Sequence, residues 1–438
     1  MPIPFQHSGG EKLLQFIWQF GYYNNTQLTT VEGEILSVIF PGVLNTNSGP
    51  DFTGAKVKIG ETTFFGNIEV HQKTSDWEKH GHQKDRQYGN VVLHVVFQHD
   101  KSLPHTIPVL ELEQRVSTLL IDRYFGLMNT ETFLPCGSAV ASVPDLVWTA
   151  WKERLLAERL TRKARQVLTL LEQNNFHWEE TLWWLLARNF GMKVNGEAFE
   201  AVARSLPITL LAKHKHSIHQ LEALLFGQAG LLQHDFADDY PRLLQREYNF
   251  LQKKLSLQPV AMPLQLLRMR PGNFPTIRLA QLAALVYRSS HVFSRLLDEE
   301  SLGQIQPLFQ VTANDFWHYH YTFQQTSPFK PKSLGNDSFQ NIVINTVAPV
   351  LFAYGMHQGQ DASKEKALRW LGEAVAEKNS IITGFASLDI KAKTAYDSQA
   401  LIELKNEYCS QKKCLQCAVG ASLLKREALR TGETKMHK

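Results

Sequence analysis

The sequence predicts an α+β fold, in which an N-terminal domain with a mixed sheet spans residues 1–140 and a large, mainly α-helical domain spans residues 141–438. Two patterns indicate this class. Between residues 34 and 97, short segments rich in β-branched residues show strand-like patterning. From about residue 144, apolar residues recur every three to five positions, which is the period of a helix. The length also supports roughly two or three domains.

The N-terminal elements are predicted in the order α-β-β-β-α-β. Residues 11–23 carry apolar side chains at helical spacing, so a helix opens the domain. The next segments are bounded by turn residues or begin at residues that cap helices. In order, they are strands over 34–40, 54–60 and 62–71, a helical segment over 75–89, and an apolar, buried strand over 90–97.

Helical segments fill most of the remaining chain, separated by proline, glycine and asparagine. No repeat of fixed period is visible, so a solenoid is not favoured. After the long helical pattern that starts near 144, the predicted helices lie near 178–190, 197–205, 217–230, 241–254, 276–298 and 363–377.

The composition is that of a globular protein, because 43% of the residues are hydrophobic and 20% are charged. The formal net charge of +4 permits a nucleic-acid partner without requiring one. The sequence shows neither an apolar window of membrane-spanning length nor the basic start and apolar stretch of a signal peptide. We therefore expect a cytoplasmic protein without a membrane partner.

One predicted strand carries a polar face that suits catalysis. Side chains alternate along a strand, so Asn67, Glu69, His71 and Lys73 point to one side while their apolar neighbours face the core. Asp51 follows a Gly-Pro turn at the start of the preceding strand, where a hairpin brings its carboxylate toward Glu69. Two adjacent carboxylates repel each other unless a cation or a proton lies between them, so we expect a divalent ion there.

This arrangement resembles the core of the PD-(D/E)XK nucleases, with Asp51 after a proline and the triplet EVH at 69–71. In that family the two acids hold Mg²⁺, and a lysine two residues beyond the second acid positions the attacking water. The resemblance implies that Asp51 and Glu69 are ligands of Mg²⁺ or Mn²⁺. His71 stands where the lysine is expected, and Lys73, two positions further on, is the alternative for that role.

More broadly, the chain resembles a bacterial family catalogued as a domain of unknown function. The resemblance spans nearly the whole chain and indicates one evolutionary unit, but it implies no activity. The segments that carry it are GPDF, GNIEVHQKTSDWEKHGH, YGNVVLHVV, EALLFGQAGLL and YCSQKKCLQCAVG.

A zinc site is the competing interpretation, because histidine and aspartate are common zinc ligands. Two histidines two residues apart on a helix point about 200° away from each other, so His80 and His82 can share an ion only in a loop. We interpret His94 as a hydrogen-bonded core histidine. Asp76, His80 and His82 are candidate substrate-binding groups. The full set of zinc candidates is His71, Asp76, His80, His82, Asp85 and His94.

The four cysteines are too sparse for a disulfide-built secreted domain. Cys409, Cys414 and Cys417 have a C-x4-C-x2-C spacing that allows three sulfurs to bind one ion, and Cys136 is the remaining candidate for a fourth ligand. Four thiolates are compatible with structural zinc and with an iron–sulfur cluster. The alternative is that these are ordinary reduced thiols.

The sequence as a whole predicts a metal-dependent nuclease or phosphodiesterase acting on DNA or RNA. Glu34 is a candidate accessory acid, and Arg268 and Arg270 are candidate contacts for a nucleic-acid strand. Two alternatives remain open. The first is a catalytically degenerate, nuclease-like scaffold that binds nucleic acid or protein, and the second is a zinc hydrolase built on histidine and aspartate.

Overall fold

The computed structural model describes residues 10–103, 107–266, 271–289 and 291–425. Arg268 and Arg270, predicted to contact nucleic acid, lie outside these described residues. The α+β class is confirmed, with an N-terminal mixed sheet and a mostly helical remainder.

The chain divides into two compact units. The sheet unit contains the chain up to Trp151 together with the segment from Leu404, and the helical unit spans Lys152–Glu403. This division differs from the predicted boundary at residues 140 and 141, because the segment with the three C-terminal cysteines belongs to the sheet unit. Contacts distant in sequence decide this membership, and the local patterns read from the sequence do not report them.

The sheet has six strands in the order β1-β3-β4-β5-β6, and the two-residue β2 pairs with β3. Pairing is antiparallel among β1, β2, β3 and β4, and parallel from β4 to β5 and from β5 to β6. The predicted strands at 34–40, 54–60, 62–71 and 90–97 all form, with small shifts of their ends. The bounds are β1 Leu36–Phe40, β2 Val43–Leu44, β3 Phe52–Ile59, β4 Thr62–Lys73, β5 Val91–Gln98 and β6 Val109–Glu111.

One face of the sheet packs into an apolar core against two helices, α1 (Gly10–Phe20) and α3 (Thr118–Asn129). Ile68 and Val70 of β4 are fully buried in this core, as the strand alternation predicts. Glu69 and His71 alternate with these two residues along β4 and therefore point to the opposite face.

That opposite face is approached by the crossover between the parallel strands β4 and β5, since a parallel pair cannot be joined by a tight turn. The predicted helix over 75–89 is wrong in extent. Only α2 (Asp76–Lys79) is α-helical, and two 3-10 turns follow at His82–Lys84 and Arg86–Tyr88. Gly81 has a left-handed φ of 76°, which ends the helix after one turn.

The predicted helical segments form with some shifts of their ends, except that the one at 276–298 is two helices. Further helices at 208–214, between 302 and 358, and after 380 were not predicted. The bounds are α4 Asp145–Gln173, α5 Trp178–Phe190, α6 Met192–Ser205, α7 Ile208–His214, α8 Ile218–Gln228, α9 Asp239–Leu255, α10 Pro275–Arg288, α11 Val292–Asp298, α12 Leu302–Phe309, α13 Asp315–His318, α14 Asn336–Ile342, α15 Ala348–Gln358, α16 Asp361–Glu373, α17 Ser380–Ala386, α18 Ala395–Glu403 and α19 Ala418–Lys425.

One stretch, Asn336–Gln358, is long and apolar enough to cross a membrane by length and composition alone. Because 72% of its most apolar window is buried inside the protein, it also fits a core helix. The expectations of a cytoplasmic location and no membrane partner therefore stay predictions.

Candidate metal centre

The carboxylates of Asp51 and Glu69 lie side by side where β3 begins to separate from β4. The Asp51 backbone N–H donates to Glu69 Oε2 at 3.1 Å, and the Val70 backbone N–H donates to Asp51 Oδ2 at 3.1 Å. Each carboxylate thus accepts a hydrogen bond from the backbone of the opposite strand. Both side chains are therefore held in fixed positions next to each other, close together as the hairpin predicts.

Helix α1 adds two polar residues that sequence reasoning missed. Gln15 Nε2 donates to Asp51 Oδ1 at 2.8 Å, and Glu11 lies near enough for its charge to act on Asp51 and Glu69. Glu11 and Gln15 are four residues apart, so they share one face of the helix. A polar pair at this spacing, beside the apolar stripe of the helix, is the signal that could have found them.

The second oxygen of Glu69 faces two imidazoles. Oε1 lies 3.4 Å from His71 Nε2 and 3.3 Å from His82 Nε2. His71 Nε2 also lies 3.1 Å from His80 Nδ1, and the ligand atoms of the three histidines are all within 4.8 Å of one another. We call Glu69, His71, His80 and His82 the histidine–glutamate cluster.

The turn after α2 explains how His80 and His82 meet. His80 follows the last residue of α2, Gly81 adopts a left-handed conformation, and His82 begins a 3-10 turn. The two imidazoles are therefore not on one continuous helix, and the 200° separation that a helix would impose does not apply. The sequence analysis required this stretch to be a loop if His80 and His82 are to share an ion. The structure meets that condition.

His94 contacts the His71 ring at Nδ1, the nitrogen that points away from Glu69. His71 Nδ1 lies 2.9 Å from His94 Nε2, and both side chains are almost fully buried. The interpretation of His94 as a hydrogen-bonded core histidine is confirmed. This bond fixes the orientation of the His71 ring and leaves Nε2 directed at Glu69 and His80, which is how a second imidazole supports a metal ligand.

The burial of these groups favours their uncharged forms. Burial, together with repulsion from Glu11, raises the pKa of Asp51 to about 7, and burial with repulsion from Asp51 raises that of Glu69 to about 9. Burial and the neighbouring histidines lower the pKa of His71 to about 2 and that of His82 to about 4. Neutral imidazoles are the form that binds metal ions, and a cation would favour the ionised carboxylates.

A divalent ion fits this donor set. His82 Nε2 is buried and lies 3.3 Å from Glu69 Oε1, but it makes no hydrogen bond among the residues that the structure describes. Buried polar atoms in proteins normally have a partner, so an orphaned nitrogen aimed at a carboxylate oxygen points to a ligand. Glu69, His71, His80 and His82 would hold the ion.

A cleft of about 470 Å³ adjoins the cluster. His82, Trp77 and Tyr88 form part of its lining, together with residues of β5 and of the crossover. The ring of Tyr88 stacks on that of His82 with centroids 3.8 Å apart, so the imidazole is clamped at the edge of the cleft. A small molecule or an extended chain that enters the cleft would reach the cluster at His82.

A family model matches residues 11–380, which is most of the chain, and its description is "Protein of unknown function (DUF2851)". The chain belongs to the DUF2851 family. No curated protein matches the chain, and no solved structure matches it. The residues matched by the DUF2851 model include the whole histidine–glutamate cluster, Asp51 and His94, whereas Cys409, Cys414 and Cys417 lie beyond them.

Other residues singled out in this DUF2851 chain lie outside the histidine–glutamate cluster, although Asp85 is part of the lining of the adjoining cleft. Lys73 has an exposed side chain, and its backbone N–H donates to Asp76 Oδ2 at 2.9 Å. Asp76 also binds Lys79 at 2.6 Å, so its carboxylate is used at the start of α2. Asp85, a candidate in the zinc interpretation, accepts a backbone bond from Gln87 and caps a 3-10 turn.

Glu34 is placed at the far end of the sheet from Asp51. Its carboxylate lies beside Gly60, in the turn between β3 and β4, whereas Asp51 precedes the first residue of β3. Eight strand residues separate the two ends, a distance of roughly 26 Å at about 3.3 Å per residue. The structure does not bring Glu34 to the histidine–glutamate cluster.

The cysteines form a separate group within the sheet unit. All four are free, and Cys136, Cys414 and Cys417 are buried while Cys409 is partly buried. Cys409 has the other three thiols among its ionisable neighbours. Cys136 and the three C-terminal cysteines, which the sequence suggested as one ligand set, are therefore also close to one another in the structure.

Proposed function

We propose that the protein is a metal-dependent hydrolase that cleaves phosphodiester bonds of nucleic acid. One observation carries the proposal: Glu69 Oε1, His71 Nε2, His80 Nδ1 and His82 Nε2 converge beside the carboxylate of Asp51. Buried polar groups gathered in one place are costly to fold unless each has a partner, and a divalent cation would be a common partner for all four.

The donor set favours Mn²⁺ or Zn²⁺ over Mg²⁺. Three imidazole nitrogens and one carboxylate suit the softer divalent ions, whereas Mg²⁺ prefers oxygen ligands and retains water. An ion bound by these residues would supply Lewis-acid polarisation of the phosphoryl group. This refines the ion expected from the sequence, where two carboxylates were predicted to be the main ligands.

The protein's own groups have distinct tasks in this proposal. Asp51, whose pKa near 7 allows it to gain or lose a proton at neutral pH, serves as the proton-transfer group beside the cluster. Gln15 and the Val70 N–H orient its two oxygens. His94 holds the ring of His71, so the cluster is rigid before substrate arrives.

Two features support a phosphodiester substrate. Lys84 and Arg86 are exposed on the crossover that carries His82, where cationic side chains suit a phosphate backbone, although the charged residue in the lining of the cleft itself is Asp85. The strand order, with an acid before β3 and a Glu-x-His triplet in β4, supports the same class through its resemblance to PD-(D/E)XK nucleases.

The test is hydrolysis by the purified full chain after treatment with EDTA. The protein is supplied with Mn²⁺, Zn²⁺ or Mg²⁺ and incubated with labelled single-stranded DNA, double-stranded DNA and RNA. We expect cleavage with Mn²⁺ or Zn²⁺, and a loss of more than about 100-fold in Glu69→Gln and in His82→Ala, because even indirect supports of a metal are worth 10- to 100-fold. His216→Ala, an exposed histidine in the helical unit, is the matched control and should keep full activity.

Calorimetric titration of the metal into the same protein separates the alternatives. Binding of one ion that Glu69→Gln weakens, without cleavage of any nucleic acid, would refute the substrate class. It would favour a zinc hydrolase of another substrate, which the three nitrogen ligands also support. Absence of both binding and cleavage would refute the hydrolase and favour the degenerate scaffold.

A further inference from the structure

The cysteine group lies outside the proposed hydrolase and uses different chemistry. Cys136 is in the loop after α3, and the other three cysteines belong to the C-terminal segment of the same unit. Lys405 Nζ donates to the Phe133 carbonyl at 2.8 Å, and Lys412 Nζ donates to the Met128 carbonyl at 2.5 Å. These two bonds connect the C-terminal segment to the end of α3 and to the loop that carries Cys136.

The thiols are mutual neighbours. Cys136 has Cys417 as an ionisable neighbour, Cys414 has both Cys136 and Cys417, and Cys409 has all three others. No two of them form a disulfide. Four free thiols on two separate stretches of backbone, brought together in one largely buried place, form a set of soft ligands that is complete for a four-thiolate centre.

Burial raises the pKa of Cys417, and hydrogen-bond donors around its sulfur oppose that shift. Its sulfur accepts hydrogen bonds from the backbone N–H groups of Val419 and Gly420 and from the indole of Trp151. It also sits directly before α19, where the helix dipole favours negative charge. A neutral thiol is a weak acceptor, so three donors are matched to an anionic sulfur.

The backbone around Cys414 is shaped for close approach. A Cβ at position 420 would lie 2.3 Å from the Cys414 carbonyl oxygen, so only glycine permits α19 to pack against the turn of Cys414. Burial and the neighbouring thiols raise the pKa of Cys136 to about 11 and that of Cys414 to about 12.

The distance between the sulfur atoms distinguishes a single zinc ion from an iron–sulfur cluster. A tetrahedral zinc with bonds of about 2.3 Å needs sulfurs roughly 3.8 Å apart. Among the residues that the structure describes, the compact group of three possible ligand atoms consists of imidazoles and includes no cysteine sulfur. A wider set of four thiolates fits a cluster of several iron atoms.

We infer that Cys136, Cys409, Cys414 and Cys417 bind an iron–sulfur cluster that joins the C-terminal segment to the loop after α3. Lys405 and Lys412 lie near the thiols and partly neutralise the charge of the four thiolates. The rings of Trp151 and Tyr408, 5.1 Å apart, pack beside the group and limit contact with solvent.

The experiment is purification of the full chain without air, followed by iron, zinc and inorganic sulfide analysis and visible spectroscopy. We expect iron and sulfide in equal amounts, about two or four of each per chain, with the broad visible absorbance of such clusters. Cys136→Ser and Cys414→Ser should each lose at least half of the iron, whereas Ser410→Ala should retain it.

Two results would overturn the inference, and both are read on the unmutated protein, so a variant that fails to fold does not obscure them. One is protein with neither iron nor sulfide. The other is stoichiometric zinc without iron, which would keep the four-thiolate site but exclude the cluster. Glu69→Gln, which tests the hydrolase, should retain its iron, so failure of one proposal is distinguishable from failure of the other.

Discussion

Glu69 in the sheet unit and Glu403 in the helical unit are both more than nine-tenths buried, but their neighbours differ. Glu403 accepts hydrogen bonds from Arg159 and Arg162, so its negative charge is met by two guanidinium groups within the protein. Glu69 faces two neutral imidazoles and the carboxylate of Asp51. Among the residues that the structure describes, Glu403 has its counter-charge within the protein, and Glu69 has no cationic group beside it.

The difference separates a structural group from a candidate site. A buried ion pair is complete in itself, and removing one partner leaves an uncompensated charge. A buried carboxylate among imidazoles and acids is complete only when a proton or a metal ion is added. The same substitution, glutamate to glutamine, should therefore have opposite consequences in the two units.

The largest expected effect is on Glu403→Gln. The substitution removes the charge that offsets Arg159, whose side chain is 12% exposed, and the more exposed Arg162. We expect the free energy of unfolding to fall by about 4 kcal/mol, as for other broken buried pairs. Denaturant unfolding measures this, and a loss below about 1 kcal/mol would show that Glu403 is not essential to the network.

Glu222 extends the comparison because it is fully buried, and its hydrogen-bond partners among the described residues include neither arginine nor histidine. Tyr240 and Trp317 donate to Oε2, and burial raises the pKa of Glu222 to about 7. Because its folded pKa is above the unfolded value, its stabilising contribution is present at low pH and is lost as the pH rises from about 4.5 through 7. The loss is on the order of 3 kcal/mol.

Unfolding measured at pH 4.5 and at pH 8 checks this contribution, with Glu222→Gln as the comparison. The variant should be less sensitive to pH than the unmodified chain by about the same 3 kcal/mol. An identical pH dependence in both proteins would contradict a raised pKa at Glu222.

Glu69→Gln should be nearly neutral for the metal-free protein, in contrast to Glu403→Gln. At neutral pH the side chain is already protonated, because its pKa is about 9, and glutamine has a similar shape. The unmodified chain should gain about 2.7 kcal/mol of stability in Mn²⁺ or Zn²⁺ at 100 times the dissociation constant, and the variant should gain little. A large loss of stability without metal would make Glu69 a structural residue like Glu403.

His94 tests whether the support behind the cluster matters. His94→Asn removes the Nε2 partner of His71 Nδ1 while keeping a polar side chain. We expect metal affinity to fall 10- to 100-fold, the usual cost of losing such a partner, with the metal-to-protein ratio unchanged. Calorimetric titration gives both values, and an unchanged affinity would show that the His71 ring is held by packing alone.

Local patterns predicted much of the sheet, because alternation and turn residues act within a few positions. The four main strands and the adjacency of Asp51 and Glu69 follow from such short-range rules. The meeting of His80 with His82 depends on the left-handed Gly81, and glycine permits that conformation without requiring it. From the sequence it was possible to say that a loop is needed here, but not whether Gly81 adopts the conformation that forms it.

Long-range placement was harder to predict. Glu11 and Gln15 reach Asp51 only because α1 packs on the sheet, and Cys136 neighbours Cys417 across most of the chain. Contacts of this kind depend on how whole elements pack, and spacing along the sequence does not encode that packing. The separation of Glu34 from Asp51 was hard to predict for the same reason. Each residue lies just before a strand, and only the strand register shows that the two lie at opposite ends of the sheet.

The smallest expected effect is that of Lys73→Ala. In the resembled nucleases a lysine two residues beyond the second acid works at the metal, but here His71 holds that position and Lys73 is exposed. On a strand, residue 73 points to the same side as 71, yet β4 ends at Lys73, whose N–H is bound by Asp76 as the chain turns into α2. We expect less than a twofold change in hydrolysis and less than about 0.5 kcal/mol in stability, as for other surface substitutions. A loss of activity comparable to that of His82→Ala would instead assign the nuclease lysine to Lys73 and remove the imidazoles from the centre of the mechanism.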